Sequence, residues 1–353
     1  MRNFLIPGVC ISLILGSGCD TNVSFESDTS GSSESFVAGD SPFVRVSPSE
    51  LQELAQPEFL LERAHTGQRR VTFYDSNGVR TSFIERVATD GHGRFAVEPV
   101  EALTPLNTDF ETFQLQQISQ QGFVFRHRDF AIRDLGLFQE NWTLQLLGDN
   151  ERVAGRLCDR FLAERPGVQN APGYQVWIDG KGFVLAYREL NSAGELLSEI
   201  RYLTYNDSPS QEVLDAVYWH EPDIDETLEL DWTQDLEPQL NDARIFQPRW
   251  LPPGYELRRA TRDTIGEDRW LRLKYTDGVE SIFFAVDLPD LVDPGGVDID
   301  TPFTPQTHRP DRVMVFEAGR TAAVEGTLRG REVMAVGKTT ADLLLDLVES
   351  ALP

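Results

Sequence analysis

Residues that could do chemistry are present in this chain, but they are not grouped. The five histidines, His65, His92, His127, His220 and His308, are scattered. No two have metal-ligand spacing and no His-Glu-x-x-His run occurs, so a zinc site has no support. Nucleophile-elbow, P-loop and dinucleotide glycine motifs are equally missing from the sequence. His127, between Arg126 and Arg128, reads as a solvated strand-edge residue instead of a general base. Carboxylates are abundant, yet nothing singles out two of them as an acid and base pair. Asp223, Asp225 and Thr227 alternate as calcium ligands do, but Leu228 stands where the sharp turn needs Gly and Gln234 where a bidentate Glu should be. The Asp293, Asp298 and Asp300 loop around Pro294-Gly295-Gly296 fares no better. Cys158, in an apolar-edged strand with no neighbouring histidine, reads as a small buried hydrophobe. The expectation is a protein that is not an enzyme and has no metal and no cofactor.

Composition narrows the class further. The chain has 353 residues, enough for about two domains. Its formal net charge of −25 excludes nucleic acid as a partner, because binding a phosphate backbone requires clustered Lys and Arg. The same balance disfavours docking on anionic lipid and serves solubility.

Residues 1–18 have the character of an export signal: Arg2, an apolar run from Phe4 to Leu15, then Gly16-Ser17-Gly18 directly before Cys19. The run is shorter than the ~20 residues a spanning helix needs. From Cys19 to residue 46 the chain is dominated by Ser, Asp, Glu, Thr and Gly and reads as a disordered tether. A cleavable peptide ending at Cys and followed by a polar tether resembles a bacterial lipoprotein signal, with Cys19 as the lipid anchor; ordinary signal cleavage is the alternative. Cys10 and Cys19 then belong to the signal, and Cys158 has no partner for a disulfide.

The elements are mostly strands. Ser47-Pro48-Ser49-Glu50 is a capping box that opens a helix, and a second helical segment from Glu58 to His65 ends at Gly67. Strands at 69–75, 80–90 and 94–101 form a meander. A short helix with Phe110, Phe113, Leu115 and Ile118 follows, and then one strand with a loop at 122–138. The block from Glu140 to Tyr205 is a second meander, with turns at Gly148-Asp149-Asn150, Asp179-Gly180-Lys181-Gly182 and Asn191-Ser192-Ala193-Gly194. Residues 211–217 make a short helix that closes a first domain of 47–217. Residues 218–245 carry nine acidic side chains between Glu221 and Asp242 and read as an extended acidic linker. A second domain, 246–353, has strands at 261–277, 279–287, 312–319, 320–330 and 331–338 and a terminal helix starting at Thr339 or Thr340, whose stripe is Leu343, Leu344, Leu347, Val348 and Ala351. The fold class is α+β. Aromatic residues of the first domain, among them Phe125, Trp142, Trp177 and Tyr187, either line an apolar cavity for an acyl chain or pack as a dry core.

Arg156-Leu157-Cys158, Tyr174-Gln175-Val176-Trp177-Ile178-Asp179, Tyr187-Arg188-Glu189-Leu190 and Gly194-Glu195 follow one another in an order that resembles the RseB/MucB family of periplasmic envelope-stress regulators. In the second domain, Trp250-Leu251-Pro252-Pro253-Gly254-Tyr255 is similar to that family's Trp-Leu-Pro-x-Gly-aromatic opening, and Tyr275-Thr276-Asp277-Gly278 to its Tyr-Ser-Asp-Gly strand end. The resemblance implies a first domain shaped like the lipoprotein carriers LolA and LolB, an unclosed antiparallel β-barrel with helices, and a smaller C-terminal α+β domain. It implies binding of the periplasmic part of a membrane anti-sigma factor, shielding of that factor from proteolysis, and release by lipid or lipopolysaccharide. On this reading Phe125, Trp142, Trp177 and Tyr187 bind lipid, and Trp250 and Tyr255 bind the partner. The protein would be periplasmic in a Gram-negative bacterium and tethered to a membrane through Cys19. The alternative function is a lipid or lipoprotein carrier or acceptor of the LolA/LolB type.

Overall fold

A computed structural model describes residues 63–351 apart from 75–77, 93, 116, 118–127, 169–170, 220–225, 244, 246, 266, 289–310, 319–320 and 329. The export signal, Cys19, the tether, the Ser47 capping box and Phe125 therefore lie outside the described residues.

Alternating burial builds the first sheet. Strands β1 (Ala64–Tyr74), β2 (Arg80–Asp90) and β3 (Phe95–Ala102) are followed by helix α1 (Leu135–Asn141). Next come β4 (Thr143–Val153), β5 (Arg156–Glu164), β6 (Gly173–Asp179), β7 (Val184–Leu190) and β8 (Leu196–Asn206), and helix α2 (Gln211–Asp215). Their order is β3-β2-β1-β8-β7-β6-β5-β4, antiparallel throughout. Two meanders are thus joined through the β1 and β8 pair, and among the described residues β3 and β4 are the two edges of an unclosed sheet. Val71, Phe83, Phe161, Tyr174, Val176, Tyr187 and Ile200 point to one face, where Phe113, Phe130, Phe138 and Trp142 cover them. Burial of rings of this size is the main stabilising term, about 1.5–3 kcal/mol for each.

Strand β9 (Glu226–Glu229), a π-helical turn (Trp232–Leu236) and helix α3 (Glu237–Asp242) come next. They lead into β10 (Glu256–Ile265), β11 (Asp268–Thr276), β12 (Ser281–Leu288), β13 (Asp311–Ala318), β14 (Thr321–Leu328), β15 (Arg331–Gly337) and helix α4 (Ala341–Ser350). The second sheet has the order β13-β14-β15-β12-β11-β10-β9. Helix α4 is capped by the Thr340 hydroxyl, which accepts from the Leu343 amide, and it buries Leu344, Leu347 and Val348 in this sheet's core.

Five local expectations are corrected. Ala64 and His65 are strand, not helix. Gly67 is no helix stop: a Cβ there would meet the Thr204 carbonyl oxygen at 2.5 Å, so it lets β8 approach β1. Leu135–Asn141 is helical because Asp134 caps it, its carboxylate accepting from the Leu137 amide at 2.8 Å. Gly148-Asp149-Asn150 is a bulge inside β4, not a turn. The chain reverses at Ala154-Gly155, which takes φ of 48° and 80°; two successive positive φ values match the twist of a tight hairpin. Finally, the acidic linker is structured from Glu226 onward. β9 pairs with β10, and Leu230, Leu236, Leu240, Ala243 and Ile245 enter the second core while the carboxylates face outward.

Ala154 is a non-glycine residue in the left-handed region, a conformation that costs an L side chain about 1–2 kcal/mol, partly offset because glycine has more unfolded-state entropy to lose. Ala154→Gly is expected to raise stability by about 0.5 kcal/mol, read as a higher urea midpoint at unchanged slope.

Candidate functional site at the seam between the sheets

Charge is buried where Arg128 and Asp129 lie against the first sheet. Arg69 on β1 is in register with Glu85 on β2 and with Tyr202 on β8. Its Nε donates to Glu85 Oε1 at 2.5 Å and its Nη1 to Asp129 Oδ2 at 2.5 Å. Arg128 closes the group, with Nη2 on Glu85 Oε1 at 2.6 Å and Nε on Asp129 Oδ1 at 3.2 Å. Two cations and two carboxylates share the space and neutralise one another. Burial raises the Asp129 pKa, but Arg69 and Arg128 outweigh it and hold this carboxyl below its usual range. Burial opposes the charge on Arg69, yet Asp129 and Glu85 keep it protonated. His65, fully buried against Phe183, Tyr202 and Tyr205, has the opposite balance: burial lowers its pKa to about 4.

The turn after β11 docks on this frame. Asp277 is fully buried; its Oδ1 accepts from the Val279 and Glu280 amides at 2.9 and 2.8 Å. Its Oδ2 pairs with Arg165 of the first sheet's loop at 2.9 Å. Burial raises the Asp277 pKa, and Arg165 opposes the rise. The turn is thereby fixed with Gly278 at φ of 106° against α1, where a Cβ would meet the Phe138 amide nitrogen at 2.5 Å. The Gly278 carbonyl accepts from the Arg133 amide at 2.7 Å, and the Arg133 guanidinium donates to the Val279 carbonyl at 2.6 Å and the Asp129 carbonyl at 2.9 Å. Val279 itself belongs to the core of the first sheet. Asn141 Nδ2 donates to the Gly254 and Asp277 carbonyls at 3.0 and 3.2 Å, and Arg258 pairs with Asp134 at 2.8 Å.

Lys338, just beyond β15, completes the seam. Its Nζ lies 3.1 Å from Glu189 and 3.6 Å from Glu280, and donates to the Tyr174 hydroxyl at 3.0 Å. Tyr174 in turn donates to Glu280. Burial works against the ammonium, but Glu189 and Glu280 raise its pKa and keep it charged. In this arrangement Arg69, Arg128, Arg165 and Lys338 each face a carboxylate, which positions the two sheets.

The residues singled out in the sequence are separated. Trp142 and Tyr187 are buried in the first sheet's core, whereas Trp177 lies on that sheet's other face, donating to Glu151 at 2.6 Å. A cleft among Arg69, Asp129, Phe130, Tyr187 and Tyr202 has room for about one water molecule and not for an acyl chain. Trp250 is 41% exposed, its amide held by Ser350 at 3.2 Å. Tyr255 packs on the second core with Arg165 above its ring at 5.9 Å, and burial raises its phenol pKa. Sequence reasoning missed Asn141, Arg165, Arg133 and Lys338, which carry no motif of their own; Asp277 and Gly278 were visible only within the Tyr-Thr-Asp-Gly run. Among the described residues no cluster of His, Cys, Asp and Glu could hold a metal, and no helix is long and apolar enough to cross a membrane.

Two antiparallel sheets clamped by buried ion pairs make a two-part scaffold, and known structures of similar outline exist. A crystal structure of MucB in complex with MucA(peri) is 16% identical, with a TM-score of 0.47 over 86% of this chain and 98% of that one. The Pseudomonas aeruginosa MucA/MucB complex is 17% identical, with a TM-score of 0.46 over 85% and 97%. A crystal structure of MucB is 17% identical, with a TM-score of 0.42 over 87% and 98%. No family model and no curated protein matches the chain.

Gly278→Ala places a Cβ against backbone that cannot move aside and is expected to cost on the order of 3 kcal/mol, seen as a lower urea midpoint. His65 has a pKa near 6.5 when unfolded and about 4 when folded. Between these values the unfolded chain binds more protons, so the stabilisation is complete above pH 6.5 and is lost as pH falls to 4, a change on the order of 3 kcal/mol. His65→Gln is expected to flatten this part of the stability profile, measured by urea unfolding at a series of pH values.

Proposed function

We propose that this protein is a non-enzymatic regulator of an envelope-stress response that binds the periplasmic part of a membrane anti-sigma factor, shields it from proteolysis, and lets go when lipid or lipopolysaccharide is present. The observation that carries the reading is the location of the two runs similar to the RseB/MucB family. Trp250 to Tyr255 and Tyr275 to Gly278 lie side by side at one end of the β10 and β11 pair, where Glu256 is in register with Thr276, and Asn141 of α1 donates to the carbonyls of both Gly254 and Asp277. The runs that resemble the family are those that join the sheets. A partner that spans the seam would contact both sheets, with Trp250 exposed beside it and Tyr255 behind it. MucB is the protein crystallised with MucA(peri), and the corresponding partner here is the periplasmic domain of an anti-sigma factor. Lipidation of Cys19 would keep the regulator at the membrane in which that factor sits.

The cleft beside Tyr187 and Tyr202 is no larger than a water, so lipid would enter there only if the aromatic core opened. Lipid would then act by binding an opened form better than the closed one and shifting the population. The carrier alternative requires that same opening but no partner.

Native mass spectrometry of the full mature chain, co-expressed with each candidate anti-sigma periplasmic domain of the same genome, tests the proposal. A one-to-one heterocomplex that dissociates when lipopolysaccharide is added is expected. A lipid-loaded monomer that ignores every such domain would replace the regulator with the carrier.

A further inference from the structure

The other face of the first sheet, away from the seam, carries an arginine cluster that this reading does not use. One cross-strand row runs Arg160, Trp177, Ala186, Arg201, Arg70, each in register with the next. Arg188 lies in the adjoining row, opposite Glu199. Three guanidiniums stand over the Trp177 ring, those of Arg160, Arg188 and Arg201, at 5.8, 5.5 and 5.8 Å from its centroid. Two carboxylates answer them. Glu199 accepts from Arg70 at 2.9 Å and from Arg188 at 2.8 Å, and Glu151 pairs with Arg160 at 3.3 Å. Arg201 donates to the Arg152 carbonyl at 3.0 Å and pairs with no carboxylate among the described residues. It also faces Arg70 directly across the strand pair, a like-charge arrangement that destabilises a sheet. Four cations against two anions stand here on a chain whose net charge is −25.

We infer that this face is a docking surface for an acidic peptide segment of a partner protein, whose carboxylates would be taken in forked contacts by Arg201 and Arg188. Guanidiniums bind carboxylates bidentately and lose little entropy when already stacked on an aromatic ring. The alternative anionic partner, a bilayer surface, fits less well. Trp177 is sealed beneath the arginines at 3% exposure and offers no apolar group for insertion. A charged membrane would also repel the whole acidic protein, whereas a single strand laid on the sheet senses charges within a screening length of about 8–10 Å. Arg188 and Arg70 are 44% and 37% exposed and within reach of such a strand.

The test is fluorescence anisotropy of a labelled peptide of alternating Glu and Ser titrated with the full chain, beside sedimentation with phosphatidylglycerol vesicles. Saturable, salt-sensitive peptide binding is expected, weakened about tenfold, some 1.4 kcal/mol, by Arg188→Gln and by Arg201→Gln, with a Lys and Ser peptide not bound. Arg188→Gln alters an exposed side chain and keeps the test valid if Arg201→Gln does not fold, as checked by its unfolding midpoint. Peptide binding unchanged in Arg188→Gln, sedimentation with vesicles in the absence of peptide binding, or no binding of either probe would each overturn the proposal. Anti-sigma binding is read separately by the mass-spectrometric experiment, so either idea can fail alone.

Discussion

The Asp277 carboxylate, sealed from solvent between two sheets, is the contact on which the rest of the architecture turns. A buried charge is tolerated only when its partners surround it, and Asp277 has two backbone amides and Arg165. The amides shape the turn, the turn delivers Gly278 to the backbone of α1, and Val279 is carried into the core of the other sheet. Removing one partner of such a pair costs about 3–5 kcal/mol because the survivor stays buried. The seam is therefore specific before it is strong: the sheets meet in one register or leave charges uncovered.

The same logic organises the Arg69, Glu85, Arg128 and Asp129 group, which ties residues 128–129 to β1 and β2 while Arg133 passes the connection on to the second sheet. Lys338 repeats the device from the other side. Hydrophobic burial stabilises each sheet, but polar pairing decides how the two are placed. Regulation by a ligand that loosens one of these groups is physically economical, since the surviving charges then favour hydration.

Much of the sheet order was legible in the sequence and most of the seam was not. The meander of β6 to β8 could be read because its strands alternate and its two reversals, of four and five residues, carry Gly182 and Gly194. Gly148-Asp149-Asn150 misled, since a bulge uses the same residue types as a turn, and Ala154 gave no hint of its positive φ. The acidic stretch hid its apolar residues: Leu230, Leu236 and Leu240 are sparse among carboxylates, and only the neighbouring sheet supplies the surface that buries them. Arg165 and Asp277 are 112 positions apart, and no local pattern encodes a pairing over that distance. Trp142 and Trp177 read alike in sequence because alternation shows that faces differ without showing which one is covered.

The pairing of β1 with β8 has a consequence for how the chain assembles. Each meander is local and can form as soon as its hairpins close, but the first three strands join the remaining five only when Leu196–Asn206 exists to receive them. Until then the β1 edge is unpaired, a template for any strand that reaches it first. Loop closure over that span is slow compared with hairpin formation. The vulnerable interval of this protein is thus the emergence of the chain between β3 and β8, and a chaperone that covers β1 during that interval would protect the fold more than one that acts on either finished sheet.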